Sequence, residues 1–258
     1  LRQNAAFGRK ICSVTPNTLS LLNGMTDSLE KTQPIADAMR DYTLGVRQWA
    51  AVLQEPAGER TFGAAGGEDI IPSGVRRRLG KLERLAVRSM LSVLKSGTTS
   101  ELIFCSRYGN LETLTALLQS IGAGEPMSPM AFSGSVHNAA PGMVGQIRKE
   151  KIAHTALAAG ENTLRAGLVE AYARLAADGC PDVIVAYADL PLTGVYADFE
   201  NDSAPGGVGL AMRLVLEEAG SGAVEVEPGR AGAQALVERL GVNGGVLAVG
   251  GGPWSMSA

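Results

Sequence analysis

From residue 42 onward, apolar positions fall into runs with either strand or helix spacing. Residues 42–53 (YTLGVRQWAAVL) predict a first strand with a hydrophobic end. Residues 54–75 carry Pro and Gly clusters, including AAGG, and predict a loop. Leu79, Leu82, Ala86, Met90 and Val93 then recur at helical spacing, predicting a helix from about Arg76 to Lys95 with one buried stripe. Its opposite stripe carries Arg77, Lys81, Arg84 and Arg88. Residues 101–105 (ELIFC) predict a short strand. Asn110 stands as N-cap of a helix over 111–121, with Leu111, Leu114, Leu117, Leu118 and Ile121 as its apolar face and Gly122 at its C′ position.

Residues 123–135 predict loop or short helix, and a short helix follows over about 138–147. Residues 151–157 (KIAHTAL) fit a strand. Gly160 opens a helix ending at Gly179, supported by Glu161–Arg165 and Glu170–Arg174 pairs four residues apart in the favourable order. Residues 182–188 (DVIVAYA) form a near-continuous apolar run, the mark of a strand buried on both faces. A strand over 207–217, a helix over about 230–240 and a strand over 245–249 complete an α/β layered pattern.

Composition narrows the function. The chain has 258 residues, of which 45% are hydrophobic, enough to build a substantial core. A formal net charge of -3 argues against sequence-independent nucleic-acid binding, which needs a strongly basic surface. Three Cys without CxxC spacing and two His exclude a Cys/His zinc framework and a disulfide scaffold, and point to a reducing cytosol. No metal or cofactor is expected, and a mechanism with two histidines would have to use both His137 and His154. No run reaches the ~20 apolar residues that span a bilayer. Residues 1–24 precede the first Met and lack a signal-peptide apolar region. The division expected is 1–41 as leader or flexible arm and 42–258 as the folded domain.

Candidate chemistry is sparse. GGVG (206–209) and GGG (250–252) lack the register of a dinucleotide or phosphate loop and read as turns or close packing. FSGSVHNAAPGM (132–143) gathers Ser133, Ser135, His137 and Asn138, but a triad normally assembles from distant segments. His137 is therefore either part of a Ser or Cys nucleophile system or a hydrogen-bonded structural histidine. Cys105 ends an apolar strand, where a buried inert thiol is the common state. The Arg77/Lys81/Arg84/Arg88 stripe is either a solvated helix face or a docking surface for an acidic partner.

Four stretches together carry a resemblance: GVRRRLGKLERLAV (74–87), LIFCSRYGNLETLTALL (102–118), EPMSPMAFSGSVHNAAPGM (125–143) and TALAAGENTLRAGLVEA (155–171). With SRYG, SP-x-x-FS and SVHNA in this order, the chain resembles the β-ketoacyl synthase-like N-terminal domain family of the thiolase-fold superfamily over roughly residues 42–250. The resemblance implies a thiolase-like ketosynthase fold with its first half retained and its second half truncated, a layered mixed sheet with helices. It further implies kinship with chain-length factors of type II polyketide or fatty-acid-like systems, commonly in aryl polyene pathways, where a full-length ketosynthase pairs with a short ketosynthase-like subunit.

In active members the strand–helix junction has a form like T-A-C-A-S-G, whose Cys attacks an acyl thioester. Here the segment is Thr155-Ala156-Leu157-Ala158-Ala159-Gly160, with Leu157 at the nucleophile position. The catalytic histidines of the second half have no counterpart after His154. The resemblance thus implies a non-catalytic subunit with a ketosynthase partner in a heterodimer or heterotetramer. A half-fold alone is expected to leave an apolar layer uncovered. The strand Lys151–Thr155, including His154 and Thr155, is expected to extend a sheet into the partner. The segment 126–143, with Ser135, His137 and Asn138, is expected to line the same interface. Met127, Met130 and Phe132 are candidates to cap the acyl tunnel, or else ordinary core residues. Arg77, Lys81, Arg84 and Arg88 would dock an acidic acyl carrier protein. The alternatives are a stand-alone acyltransferase or hydrolase using Cys105 or Ser135 with His137, and a carrier-binding scaffold.

Overall fold

A computed structural model describes residues 42–95, 100–177, 180–218, 225–243 and 246–248. The expected leader 1–41, the helix end at Gly179 and the GGG of 250–252 lie outside the described residues.

Strands β1 (Tyr42–Glu55), β2 (Gly58–Gly63), β3 (Glu101–Cys105), β4 (His154–Leu157), β5 (Val183–Asp189), β6 (Gly207–Glu218) and β7 (Val246–Ala248) form one mixed sheet. Its order is β2-β1-β6-β5-β3-β4, with β7 beside β1. β3 pairs in parallel with β4 and β5, and the other pairings are antiparallel. The helices are α1 (Ser73–Arg76), α2 (Lys81–Val93), α3 (Leu111–Gly122), α4 (Pro129–Ser135), α5 (Ala139–Arg148), α6 (Thr163–Ala177) and α7 (Gly229–Asn243).

The sheet is covered on both faces. On one face Ile103, Cys105, Val183, Val185, Tyr187, Leu210 and Met212 pack against Leu164, Leu168, Ala171 and Leu175 of α6 and Leu236, Val237 and Leu240 of α7. On the other, Leu102, Phe104, Ile184, Ala186 and Ala211 pack against Leu82, Ala86, Met90 and Val93 of α2 and Ala140 and Val144 of α5. Alternating residues of one strand feed opposite faces, so β5 is buried along its whole length, as its continuous apolar run predicts. Glycines permit the close approach: a Cβ on Gly209 would sit 2.7 Å from the Leu85 carbonyl of α2, and one on Gly167 of α6 would collide with the Cys105 sulfur.

Four expectations need correction. The loop 54–75 contains β2, which folds back on β1 as a hairpin. The helix expected from Arg76 is broken at Gly80, whose extended backbone separates α1 from α2. The left-handed glycine after α3 is Gly124 (φ 71°), not Gly122, because the helix runs through Gly122. The expected uncovered layer is not on the described sheet faces. Exposed apolar side chains gather instead on α3 and around α4: Leu114, Leu118, Ile121, Met127, Met130, Phe132 and Val136.

Candidate functional site: an open sheet edge and its flanking helices

β4 is the last strand of the sheet. Its ladder to β3 is anchored by Leu102 N–H donating to the Ala153 carbonyl at 3.0 Å and Ser106 N–H donating to the Leu157 carbonyl at 3.2 Å. In a parallel ladder, alternate residues turn their backbone groups to the same neighbour. Ala153, Thr155 and Leu157 therefore face β3, and the N–H and C=O of His154 and Ala156 face outward. This open edge begins three residues and ends two residues beyond the expected Lys151–Thr155, because residues 151–153 precede the strand proper.

Leu157 closes β4 half-buried, packing against the core on the α6 side. The turn beyond it is tightly specified. Gly160 takes φ 58°, which favours glycine. Thr163 Oγ1 accepts from Ala159 N–H at 2.9 Å and donates to the Gly160 carbonyl at 2.6 Å, and α6 starts there. Leu157 is a hydrocarbon with no capacity for acyl transfer.

The C-terminal ends of β3, β4 and β5 meet here, where the order reverses about β3, the usual crevice of an open α/β sheet. The crevice is held by polar groups. Asp189, 3% exposed, accepts from Ser106 Oγ at 2.9 Å and Arg107 N–H at 2.9 Å. Burial pushes its carboxyl above the usual range, and those bonds oppose the shift. Arg107 donates to Asn201 at 3.0 Å, and Asn201 donates to Glu161 at 2.9 Å.

The structure brings His137 and Leu157 together. The His137 ring lies close enough to the Leu157 backbone to be influenced by it and meets the Phe104 ring edge-on at 5.8 Å. Its Nε2 is buried without a hydrogen-bond partner. Burial lowers its pKa, and the nearby Leu157 backbone only partly offsets this. Ser135 Oγ donates to the Phe132 carbonyl at 2.9 Å within its own turn. Asn138 is exposed and precedes α5 without a side-chain capping bond. His154 Nδ1 lies 3.1 Å from the Ile152 carbonyl. Met127, Met130 (64% exposed) and Phe132 (56% exposed) are surface residues, so the reading of them as ordinary core does not hold for this chain.

The α4 segment is tied down from behind. Asn110 caps α3 by accepting from Thr113 N–H at 3.3 Å. Its Nδ2 donates to Gly134 of α4 at 3.2 Å and to the buried Glu83 of α2. A groove of about 560 Å3 runs between these three helices, lined by Leu79, Arg84, Leu117, Pro126 and Ala131 among others.

The basic stripe is not one face. Arg77 caps α1, while Lys81 and Arg84 are exposed on the first turn of α2. Arg88 is 6% exposed, donates to the Gly66 carbonyl at 2.6 Å and pairs with Glu59 of β2. The hairpin missed in the sequence is what covers it. Cys105 is fully buried, and desolvation, with the Asp189 and Glu170 carboxylates adding, drives its thiol far from ionisation at neutral pH.

Sequence reasoning missed Arg174, Asp189 and the Glu83–Asn110 tie. Asp189 left one signal, a charge ending an otherwise apolar strand. Arg174 was visible only as half of a helix-surface pair. Among the described residues, no group of three His, Cys, Asp or Glu is placed to hold a metal. No described helix is long and apolar enough to cross a membrane.

The pattern of the β-ketoacyl synthase N-terminal domain matches residues 47–241, and the chain belongs to this family. No curated protein sequence matches it. Among solved structures, it is similar to a chain of the ketosynthase ApeO in complex with its chain length factor ApeC from Xenorhabdus doucetiae. Identity there is 25% and the TM-score 0.58, over 70% of this chain and 80% of the other, so the two are of comparable length. It also shares its fold with the ishigamide ketosynthase/chain length factor, at 17% identity and a TM-score of 0.51, over 69% of this chain and 62% of that one. The fold is thus the thiolase-like ketosynthase fold that the sequence resemblance implied.

Proposed function

We propose that this chain is a non-catalytic, chain-length-factor-like subunit. It pairs with an active ketosynthase and shapes that enzyme's acyl tunnel in aryl polyene or related type II polyketide synthesis. The observation carrying this reading is the junction at β4: an open strand edge ending in Leu157 where an active member has its cysteine. Similarity to a ketosynthase–chain length factor complex supports it. In this reading His154 and Ala156 pair with the partner's sheet through their outward backbone groups. The exposed Met127, Met130, Phe132 and Val136 are then buried by the partner, which removes an apolar surface otherwise costly to expose. Met130 and Phe132 cap the partner's tunnel, and bulk there limits chain length because a filled core resists overpacking. Ser135, His137 and Asn138 line the same interface. An acidic carrier protein docks at Arg77, Lys81 and Arg84; Arg88, buried against Glu59, is withdrawn from that role.

The alternative of a stand-alone acyltransferase has weaker support, since Cys105 is sealed in the core and the Ser135 hydroxyl is engaged within its own turn. The test is co-expression with ketosynthases encoded beside it, followed by size-exclusion chromatography and product analysis. A heterodimer is expected, and Met130→Ala or Phe132→Ala should lengthen its products. A chain that elutes alone with every such ketosynthase would defeat the reading. Unchanged product length in both variants would remove the tunnel-capping role.

A further inference from the structure

Strand β4 has only four residues and is bonded on one side, so the backbone alone holds it weakly. One side chain reinforces it. Arg174, near the end of α6, has a side chain 15% exposed. Its Nη2 donates to Thr155 Oγ1 of β4 at 2.8 Å, and its Nη1 to Glu101 Oε2 at the start of β3 at 2.5 Å. Nε and Nη2 also donate to Glu170 Oε1, one turn back on α6, at 2.8 and 2.7 Å. Glu170 thus fixes the guanidinium on its helix, and the planar fork spans two neighbouring strands. A lysine, with a single point charge, cannot reproduce that span.

We infer that Arg174 is the positioning residue that holds the β4 edge in sheet geometry and so makes it competent to pair with a partner. The inference rests on the proposed function for its second half only; the clamp itself is a property of this chain. Thr155 turns its backbone toward β3 and its hydroxyl toward Arg174. Anchoring it therefore aligns the neighbouring His154 and Ala156, whose backbone groups point outward. Preorganising an edge in this way lowers the ordering cost of association.

Thr155→Val tests this without disturbing strand propensity or the two carboxylate pairs. In the isolated chain, hydrogen exchange at the Thr155 and Leu157 amides, which face β3, should quicken about tenfold, the scale of one hydrogen bond to a charged group. The melting temperature should stay within about 3 °C of the parent. Affinity for the ketosynthase should fall roughly three- to tenfold, a fraction of that same bond. Thr155→Ser, which keeps the hydroxyl, should restore both, and Arg174→Lys should behave as Thr155→Val. Parent-like exchange at β4 in Thr155→Val overturns the clamp. Faster exchange with unchanged ketosynthase affinity overturns its link to pairing. A parent chain that binds no ketosynthase overturns the proposed function, while the exchange measurement still decides the clamp.

Discussion

Strand β2 ends one side of the sheet with Glu59 and Arg60 in its sequence, whereas β4 ends the other with His-Thr-Ala-Leu. On β2, Arg60 pairs with Glu55 at 2.9 Å and lies over the Phe62 ring at 4.8 Å, and Glu59 is held by Arg88 from below. Charged side chains of this kind keep a free edge from recruiting another strand. β4 carries no acidic, lysine or arginine side chain, its residues are half-buried, and exposed apolar side chains stand on the α3–α4 side. One edge is guarded by charge and the other is not. The difference teaches where to look for an interface in a protein whose sheet faces are already covered.

The comparison can be broken most decisively at Ala156. Proline there deletes an outward N–H but leaves the ladder to β3 intact, and proline is tolerated on edges in that orientation. Ala156→Pro should keep the fold by circular dichroism yet weaken ketosynthase pairing by about thirty- to a hundred-and-fiftyfold, the cost of an unsatisfied buried partner of about 2–3 kcal/mol. Pairing at parent strength would show that β4 is not the contact. A middle effect is expected at the defended edge. Arg88→Ala removes the tie from α2 to Glu59 and Gly66 and should cost about 1–3 kcal/mol in chemical denaturation, since Glu59 can partly rehydrate. Ketosynthase affinity should not change, and a matching loss of pairing would erase the distinction between the edges. The smallest effect is expected at Arg77 and Arg84. Glutamate at both should weaken carrier-protein binding a few-fold in low salt and vanish in high salt, because exposed charges are screened. A salt-independent loss would point to misfolding instead.

Much of the fold was legible because burial leaves a period. β5 and β3 appear as short apolar runs, and Asn110 caps α3 as its position predicts. β2 was missed because it is exposed along almost its whole length, so no alternation of Gly-Glu-Arg-Thr-Phe-Gly marks it. The break at Gly80 was hidden because Leu79 and Leu82 are both buried, and the stripe reads straight through. Arg88 followed from that miss, since its partner is on the unseen hairpin. At the site, Leu157 gained meaning only from the family resemblance. Arg174 stayed hidden because its partners Glu101 and Thr155 are far away in sequence and meet it only once β3 and β4 lie side by side.

The long ladder between β1 and β6 sets the order in which this molecule can be made. Gln54 pairs with Gly207 and Tyr42 with Glu218, so the first strand of the sheet waits for one of the last. At ribosomal speeds of ~5–20 residues per second, that wait is roughly ten to thirty seconds. Through it, β1 has only the β2 hairpin and α2 beside it, and Leu44, Ala51 and Leu53 lack the β6 and α7 side chains that finally enclose them. Such non-local pairing slows folding and exposes the nascent chain to aggregation. Slower synthesis at low temperature, or a chaperone that shields the segment around β1, should therefore raise the soluble yield of this chain more than any change at its surface.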